Sequence, residues 1–488
     1  MGPKENQAIL IADLGYGDAG KGSMVDYLTR ITGAHTVVRY NGGAQAAHNV
    51  ITPDGRHHTF AQFGSGTFIP GTRTHLSRFM ILHPLAMLAE ERHLQSLGVR
   101  NAFAHLSIDR EALVTTPFQQ SANRIKEIAR GDGRHGSCGM GVGETKSDWL
   151  AHGEDVLFAG DLDDRMVAVK KLQRMREIKF SQLESIIQAA PNNEMIAEEL
   201  KPFQDPQFID ATADLYQHFA RQVSIVEAGF LGRLINQPGT TIFEGAQGVL
   251  LDEWYGFYPY NTWSTLNYKN ADTLLSENGF KGEVTKLGII RGYATRHGAG
   301  PFVTEDEHLA AQLQDYHNGN NPWQRKFRVG YLDFVALRYA LKVTGKVDGL
   351  AVTNLDRMAA LDEWQICNRY QISEDPPFVS DYFDLDDGWV RDIKVPPDPT
   401  DLERQEALTK LLFKMQPVYD ICQKDTNSYL ELISQILGSP VALTSSGPTA
   451  LEKEFASFTG KAVKEMMPGQ VEKKPAPYLK TFSQSIPA

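Results

Sequence analysis

The feature that most constrains the fold of this chain is the glycine-rich stretch Gly15–Gly22. It follows an apolar run at residues 8–12, which predicts a buried strand. Four apolar residues then recur at the spacing of one helix face: Met24, Val25, Leu28 and Ile31. Glycines between a strand and a helix let the backbone approach a ligand, and the free N–H groups at the helix start attract an anion. The spacing from Gly15 to Gly20 and Lys21 matches a phosphate-binding P-loop.

Two residues of this stretch depart from the usual P-loop pattern. Gly22 stands where a magnesium-binding Ser or Thr is expected, and the loop carries a carboxylate, Asp18. A carboxylate that faces phosphates repels them unless a metal ion lies between or the carboxylate handles a proton. The alternative interpretation is a tight turn with a solvated Asp18.

Composition narrows the class of protein. A chain of 488 residues exceeds one typical core, which predicts a large domain with insertions, or two domains. Hydrophobic residues make up 42% and charged residues 22%, as in ordinary globular proteins. The net charge of −11 argues against nucleic-acid binding as the main task.

Targeting and redox signals favour the cytoplasm. The three cysteines (Cys138, Cys367 and Cys422) are far apart and show no metal-binding spacing, which fits a reducing compartment. The first residues do not resemble a signal peptide, and no apolar stretch is long enough to span a bilayer. We therefore expect a cytoplasmic protein with neither a membrane nor a nucleic-acid partner.

Alternating strand and helix patterns predict an α/β fold with a large, mainly parallel central sheet, helices on both faces and a P-loop-like phosphate site. The further predicted strands lie at 35–40, 79–82, 240–243, 284–290, 348–353 and 440–444. Ligands bind beyond the carboxyl ends of such strands, so we expect Asp18 and His48 to share one crevice.

The chain also shows segments outside this alternation. Residues from about 160 to 235 predict a helical insertion in one catalytic domain at 1–466. Residues 374–400 are rich in Asp and Pro and predict a surface excursion. From 467 to 488, Pro, Lys and Ser dominate, so we expect an extended tail without a core of its own.

Four further patterns are candidate binding elements, and each also has an ordinary structural interpretation without a ligand. His48 follows small residues after the second predicted strand, although a lone His is more often structural. Gln247 can both donate to and accept from a purine edge, or lie in an ordinary turn. Asp356 ends a strand and can accept two N–H bonds from guanine, but its motif is short. The basic cluster 325–328 suits a carboxylate or phosphate, or it is a solvated loop.

In order along the chain, these motifs together resemble the adenylosuccinate synthetase family over roughly residues 8 to 460. The segments that carry the resemblance are Gly17–Gly22, Val37–His48, Phe243–Gly248, Tyr258–Tyr260 with Thr262, Thr295–Phe302, Gly330–Asp333, Thr353–Asp356 and Ser446–Pro448. The segment Phe243–Gly248 matches the family motif without change, and Thr295–Phe302 differs from it only at His297.

The resemblance implies a reaction in which the γ-phosphate of GTP, with ATP as a possible donor, goes to the 6-oxygen of IMP and aspartate then displaces it, with Mg²⁺ bound. It implies these roles: catalytic, Asp18, Lys21, His48 and Gln247; donor binding, Gly17, Gly20, Gly22, Asn354, Asp356, Ser446 and Gly447; acceptor binding, Gln45, Ser137, Cys138, His152, Thr262 and His297; amino-acid binding, Thr295 and Arg325; metal binding, Asp18 and Ala47. It also implies a homodimer, in which His152 or a neighbour completes the partner's acceptor site.

The departures from the family pattern fall on the substrate side. The Thr that binds the acceptor phosphate in the family is replaced here by Cys138. The arginine that one subunit of the family dimer supplies to the other subunit's acceptor site is replaced by His152. In the amino-acid loop, Pro322–Phe327, one family arginine persists as Arg325 and the second is Phe327. Losing one bidentate carboxylate partner typically costs around two decades in affinity.

Three hypotheses therefore stay open at the level of sequence. The first is a GTP-dependent ligase with IMP and aspartate as default substrates. The second is a specialised paralogue that uses another purine nucleotide, such as a guanine nucleotide, or another amino acid. The third is a nucleotide-binding regulator without turnover.

Overall fold

The computed structural model describes residues 6–313, 326–372 and 378–456. Its strands are β1 (Gln7–Asp13), β2 (Thr36–Arg39), β3 (His48–Ile51), β4 (His57–Phe60), β5 (Arg73–Leu76), β6 (Ile81–Leu82), β7 (Leu106–Asp109), β8 (Leu113–Val114), β9 (Ser224–Val226), β10 (Thr240–Glu244), β11 (Glu283–Arg291), β12 (Ala294–His297), β13 (Phe327–Gly330), β14 (Leu332–Asp333), β15 (Gly349–Thr353), β16 (Trp364–Ile372), β17 (Phe383–Asp386), β18 (Trp389–Ile393), β19 (Met415–Cys422), β20 (Val441–Ser445) and β21 (Lys453–Phe455).

The α-helices of the same residues are α1 (Lys21–Thr32), α2 (Pro84–Ser96), α3 (Pro117–Arg130), α4 (Val142–His152), α5 (Arg165–Ala189), α6 (Glu194–Glu199), α7 (Lys201–Gln204), α8 (Phe208–Ala220), α9 (Phe230–Ile235), α10 (Lys269–Glu277), α11 (Glu307–Gln312), α12 (Phe334–Thr344), α13 (Leu355–Met358), α14 (Val379–Tyr382), α15 (Leu402–Leu412) and α16 (Thr426–Leu437). None of these helices is both long and apolar enough to cross a bilayer.

A ten-stranded sheet runs through the centre in the order β21-β20-β15-β11-β1-β10-β2-β5-β7-β9. All its neighbouring strands are parallel except β20 and β21. Strand β1 lies between β10 and β11, and its residues 8–12 are buried because both faces of the sheet are covered. The mainly parallel α/β fold predicted from sequence is confirmed.

Alternate side chains of β1 enter two different cores. Ile9 and Ile11 pack with residues of α1, whereas Ala8 and Leu10 pack with residues of α10, α12 and α16 on the opposite face. Helices therefore cover both faces, as predicted. This packing fixes α1 against the sheet directly after the glycine-rich loop, so the loop lies at the carboxyl end of the central strand.

The structure differs from the sequence-based expectation in two places on the sheets. The predicted strand 79–82 forms only β6, which pairs with β8 outside the main sheet. Its expected place is taken by β5, a short strand whose sequence Arg-Thr-His-Leu carries little apolar signal. The Asp- and Pro-rich excursion contains β17 and β18, which join β14, β16 and β19 in a second sheet.

The predicted helical insertion, at about 160–235, is mostly helical and also contains one strand of the main sheet. Its helices α5–α8 occupy Arg165–Ala220, and β9 then pairs with β7 at the edge of the sheet. Residues 467–488 of the predicted tail, and Arg325 with Pro322 and Trp323, lie outside the described residues.

A buried ion network joins the insertion to the rest of the domain. The ammonium of Lys179 on α5 lies 2.7 Å from Glu144 Oε2 and 2.6 Å from Asp148 Oδ1 on α4, and its side chain is 1% exposed. Gln119 of α3 donates to the other oxygen of Asp148 at 2.9 Å. Burial acts to raise the pKa of Glu144, but the charges of Lys179 and Lys126 outweigh it and lower the pKa.

We predict that Lys179→Met lowers the free energy of unfolding by about 3–5 kcal/mol, because it leaves the buried carboxylate of Asp148 without its cation and leaves Glu144 with Lys126 alone. Since the folded pKa of Glu144 is depressed, the difference from wild type is present at neutral pH and shrinks as the pH falls through that pKa. Urea unfolding monitored by circular dichroism measures both effects. Lys201→Met, which removes an exposed ion pair with Glu198 on the same insertion, is the control and changes stability by less than about 0.5 kcal/mol. Equal stabilities for the two variants would contradict the prediction.

Candidate active site

The glycine-rich loop is folded around a buried ion pair. Asp13, the last residue of β1, accepts hydrogen bonds from the N–H groups of Gly15 (2.8 Å) and Ala19 (2.9 Å) and from Lys21 Nζ (3.0 Å). Lys21 also donates to the carbonyl of Gly17 at 2.6 Å. Because both charges are 1% exposed, their attraction is little screened by water. The ammonium of Lys21 therefore stabilises the loop that carries Asp18.

The loop is packed directly against the second glycine-rich turn, which follows β10. A Cβ on Gly248 would lie 2.2 Å from the carbonyl oxygen of Gly15, and one on Gly17 would lie 3.3 Å from the backbone of Gln247. Gln247 has a φ of +56° and a buried Oε1 with no hydrogen-bond partner among the described residues. A non-glycine residue at positive φ carries strain, which places Gln247 among the candidate functional residues.

The position of His48 explains why Gly22 replaces the hydroxyl residue of a P-loop. A Cβ on Gly22 would lie 2.8 Å from Cβ of His48 and 3.0 Å from the carbonyl oxygen of Asn49. The first turn of α1 therefore touches the start of β3. His48 and the phosphate-type loop are therefore neighbours.

His48 is held in one orientation by Glu244 at the end of β10. The two side chains meet at 2.5 Å between Nδ1 and Oε1, and Ser65 donates to the same carboxylate through its N–H (2.9 Å) and its hydroxyl. Burial lowers the pKa of His48 to about 4. Burial acts to raise the pKa of Glu244, but Arg39 and the hydrogen bond from His48 outweigh it and bring the pKa to about 2.

These pKa directions define the protonation of the pair at neutral pH. Glu244 is ionised and His48 is neutral, so the imidazole proton lies on Nδ1 and is donated to the carboxylate. Its Nε2 is buried and has no hydrogen-bond partner in the described part of the chain. An oriented imidazole with an unsatisfied nitrogen, next to a phosphate-type loop, is a candidate for contact with a ligand.

Asp18 lies at the outer side of the loop. Its Oδ2 is 3.4 Å from Nε2 of His297, and its side chain is 26% exposed. Arg291, at the end of β11, donates to the Asp18 carbonyl at 3.1 Å. The Asp18 carboxylate is therefore accessible, while its backbone is held by the neighbouring strand.

The predicted donor-base residues lie at the ends of β15 and β20. Thr353, the last residue of β15, donates its hydroxyl to the carbonyl of Ala19 at 2.8 Å, which ties this strand to the phosphate-type loop. Asn354 follows at φ +57°, and Asp356 is exposed on α13. Lys453 donates to the carbonyl of Gly447 at 3.2 Å, beside Ser446. Burial lowers the pKa of Lys453 to about 8, against the opposing charges of Glu452, Asp26 and Asp356.

The predicted acceptor residues lie on several loops. Both amide atoms of Gln45 are buried without a partner among the described residues, whereas Ser137 contacts Asn123 at 2.8 Å. Burial raises the pKa of the Cys138 thiol to about 11, so it is not a reactive thiolate at neutral pH. The backbone N–H of Thr262 donates to the carbonyl of Leu251 at 2.9 Å.

His152 stands apart from this group. It is half-buried at the end of α4, and within the described ranges it has no hydrogen bond or ion pair with the other predicted acceptor residues.

The predicted amino-acid loop is described only at its end. Strand β13 pairs with β12 so that Phe327 lies opposite His297 and Val329 lies opposite Thr295. The rings of Phe327 and His297 are 4.8 Å apart. Phe327 thus packs against the His that faces Asp18, and Arg325 is outside the described residues.

Sequence reasoning missed three residues that organise this site: Asp13, Glu244 and Arg291. Asp13 and Arg291 are charged residues that end otherwise apolar strands, and this was an available signal. Glu244 stands inside the motif Phe243–Gly248, but its partner His48 is 196 positions away along the chain. Only the fold reveals that contact.

Comparison with known proteins identifies the family. A model of the adenylosuccinate synthetase family matches residues 10–453. The chain belongs to the adenylosuccinate synthetase family. Related sequences include adenylosuccinate synthetases of Bdellovibrio bacteriovorus (28% identity over 458 residues, covering 90% of this chain and 96% of the relative) and of Vibrio cholerae serotype O1 (30% over 458 residues, with the same coverages).

Solved structures show the same fold. The fully ligated adenylosuccinate synthetase of Plasmodium falciparum is similar with a TM-score of 0.70 and 19% identity, covering 92% of this chain and 99% of the other. The succinoaminodeoxyadenylate synthetase of cyanophage S-2L, bound to dGMP and dATP, is similar with a TM-score of 0.56 and 15% identity, covering 95% and 100%. Because the chain belongs to the adenylosuccinate synthetase family, it is a ligase of that type.

We predict that Glu244→Gln lowers kcat for phosphate release at least tenfold while the donor KM changes by less than about threefold. The carboxylate receives three donors, one from His48 and two from Ser65, and a single amide oxygen cannot satisfy them with the same geometry. Ser65→Ala keeps the His48 contact and is the control, with kcat within about threefold of wild type. Steady-state kinetics on folded variants measure kcat and the donor KM. An unchanged kcat in Glu244→Gln would show that catalysis does not require Glu244 to orient His48.

Proposed function

We propose that this protein is a GTP-dependent ligase that phosphorylates the 6-oxygen of a purine nucleotide, IMP by default, and replaces the phosphate with the amine of an amino acid, L-aspartate by default. The products are then GDP, phosphate and adenylosuccinate. An amide-like oxygen is a poor leaving group, and phosphorylation converts it into a good one. Family membership supports the reaction type, and the position of Asp18 carries the proposal.

Asp18 is the candidate general base. It is a partly exposed carboxylate on a loop of the phosphate-binding type, and its backbone is fixed by Arg291. Removal of the purine N1 proton by Asp18 makes the 6-oxygen nucleophilic toward the γ-phosphate. Gln247, whose Oε1 is unsatisfied beside the same loop, is the candidate to orient the purine.

His48 is the candidate that meets the transferring phosphoryl group. Its ring is oriented by Glu244, its Nε2 is unsatisfied, and it lies against the first turn of α1. The negative charge of bound phosphates favours uptake of a proton on Nε2, and the resulting N–H, held in place by Glu244, stabilises charge that develops on the phosphate oxygens. Lys21 stabilises the glycine-rich loop through its bonds to Asp13 and Gly17, and its positive charge favours the binding of phosphates there.

We propose that a magnesium ion binds beside this loop. Mg²⁺ in phosphoryl-transfer sites typically takes one or two protein oxygens and completes its shell with phosphates and water. The Asp18 carboxylate and the carbonyl of Ala47, which is exposed, are the oxygens that we propose to hold it. The described residues contain no group of three or more His, Cys, Asp or Glu side chains placed to bind a metal by themselves. When bound, the ion neutralises charge on the phosphates.

The donor base is assigned to the ends of β15 and β20. Asp356 is exposed and its charge raises the pKa of Lys453, which itself donates to the Gly447 carbonyl at 3.2 Å. These observations support a donor-base site formed by Asp356, Ser446 and Gly447. A carboxylate that accepts two N–H bonds selects guanine over adenine. GTP is therefore the proposed donor, with ATP as the alternative.

We predict that Asp356→Asn raises the KM for GTP roughly ten- to hundredfold and reduces the preference for GTP over ATP, because hydrogen bonds to a charged group are worth about 1.5–3 kcal/mol. Asp362→Asn, at an exposed acid close by in the sequence, is the control and leaves both values unchanged. An unaltered donor preference in Asp356→Asn would mean that another group reads the base.

We further propose that the enzyme acts as a homodimer in the cytoplasm. Among the described residues of one chain, His152 has no hydrogen bond or ion pair with the other candidate acceptor residues, which fits a residue that serves the site of a second copy. The acceptor phosphate would then meet Gln45, Ser137, Cys138 and Thr262 of one chain and His152 or a neighbour of the other.

The amino acid is the least constrained part of the proposal, and Phe327 supports an alternative. A free aspartate brings two carboxylates, each of which needs cationic or several N–H partners when it leaves water. Phe327 instead presents an aromatic ring against His297, close to Asp18. This favours a paralogue that accepts a less charged amino acid, whereas recruitment of Lys326 or Arg328 would retain aspartate with weaker binding.

We predict that Phe327→Arg lowers the KM for aspartate at least tenfold, because it restores a bidentate carboxylate partner. Phe327→Leu keeps the position apolar and is the matched control, with an unchanged or higher KM. Steady-state kinetics with aspartate as the only amine measure the change. A wild-type KM for aspartate already in the sub-millimolar range, and unaltered in Phe327→Arg, would instead indicate ordinary aspartate recognition.

One assay tests the whole proposal and separates its alternatives. Phosphate release is measured from GTP and from ATP against a panel of purine nucleotides, with guanine nucleotides included, and a panel of amino acids. Turnover with GTP, IMP and aspartate supports the default reaction, and turnover with another pair identifies the paralogue. Nucleotide binding without turnover on any pair would support the regulator hypothesis. Asp18→Asn is the control, since it retains nucleotide binding and loses turnover if Asp18 is the base.

A further inference from the structure

A cavity that is separate from the glycine-rich loop opens beside the segment that carries Thr262. It has a volume of about 630 Å³, which is within the usual range for small-molecule sites. Its walls include four aromatic side chains: Phe79, Trp149, Phe158 and Trp263. Glu253 also lines it, and we refer to it as the Glu253 cavity.

Glu253 is buried with half of its carboxylate unsatisfied. The residue is 4% exposed, and its backbone is fixed at both ends, since its N–H donates to Ser264 at 3.1 Å and its carbonyl accepts from Asn261 at 3.1 Å. Its Oε1 accepts the hydroxyl of Thr265 at 2.6 Å, but its Oε2 is buried and has no hydrogen-bond partner among the described residues. A buried carboxylate oxygen without a partner is costly, so this group is poised to receive a donor.

The charges around the cavity favour a cation as that donor. Two of its lining bases are already committed to acids elsewhere, Arg78 to Glu277 and Arg110 to Glu227. Among the lining acids, Asp161 is paired with Lys171. The lining charges that have no ion-pair partner in the described ranges are Lys146 against Glu111, Glu154 and Glu253. The cavity therefore carries a net negative charge.

The aromatic residues that line the cavity also favour a cationic ligand. Lys146 Nζ already lies 4.6 Å above the ring of Trp149, and Lys171 Nζ lies 5.1 Å above that of Phe158. Faces of aromatic rings attract ammonium and guanidinium groups and contribute about 0.5–2 kcal/mol to their binding. Trp149 is 36% exposed, so a ligand can reach the cavity from this side.

We propose that the Glu253 cavity binds an organic cation, with an ammonium or guanidinium group on Glu253 Oε2 and its apolar part against Trp149 and Trp263. The cavity adjoins the candidate active site through the chain itself. Trp263 lies between Thr262 and Ser264, and the Ser264 hydroxyl accepts the N–H of Gly42 at 3.2 Å.

Calorimetry of the full-length protein with agmatine, which carries both cationic groups, tests the proposal. We expect saturable binding to wild type, at least tenfold weaker binding to Glu253→Gln and roughly two- to fivefold weaker binding to Trp149→Ala, a surface change that preserves the fold. Glu154→Gln, at an exposed acid on the same wall, is the matched control and alters affinity less than twofold. Butylurea, a neutral analogue, should not bind.

The cation has two sources, a free small molecule or a side chain from a second copy of this chain, and sedimentation distinguishes them. If the source is a free molecule, agmatine leaves the sedimentation of wild type unchanged. If it is a second copy, agmatine dissociates the wild-type oligomer, and Glu253→Gln associates at least tenfold more weakly. The proposal is overturned if agmatine neither binds nor alters sedimentation, if Glu253→Gln binds agmatine as wild type does, or if butylurea binds equally well.

Discussion

The site of this protein depends on one buried ion pair, between Asp13 at the end of the central strand and Lys21 at the start of the first helix. The pair closes the glycine-rich loop, because Asp13 also receives two loop N–H groups and Lys21 also donates to a loop carbonyl. With so little water around it, this pair is weakly screened and holds the loop in one shape. That shape sets where Asp18 stands relative to the strands on either side.

The rest of the candidate site is assembled on this loop by close backbone packing. Gly248 touches the loop from one neighbouring strand, Thr353 donates to it from another side, and Gly22 meets His48 with no room for a side chain. At Gly248 and Gly22, atoms of a neighbouring segment lie where a Cβ would stand, which is why glycine occupies these two positions. A site built in this way tolerates changes in the substrate loops better than changes in the phosphate loop. The departures in this chain follow that division. Asp18, His48 and Gln247 match the family pattern, whereas Cys138, His152 and Phe327 stand in place of the family's residues.

Neighbouring parts of the domain are held by buried polar groups of two kinds. Lys179 is fully paired and joins the helical insertion to α3 and α4. Glu253 is only half satisfied, and it lines a cavity that adjoins the acceptor residues. Paired charges of the first kind stabilise the native state, whereas an unsatisfied one is a cost that a ligand or a second chain can offset. We therefore assign a structural role to Lys179 and a role in ligand binding to Glu253.

The sequence alone determined the fold class, the central strand, the family and the identity of Asp18, Lys21, His48 and Gln247 as candidates, because motif spacing and apolar periodicity are local properties. It misplaced the strand at 79–82 and missed β5, whose short polar sequence carries little such signal. Only the tertiary structure decided that Glu244 orients His48, that His48 excludes a side chain at residue 22, and that Phe327 reaches His297 beside Asp18. These contacts join residues distant along the chain. Glu244 ends a strand of the parallel sheet, whereas His297 and Phe327 meet across the antiparallel pair β12–β13.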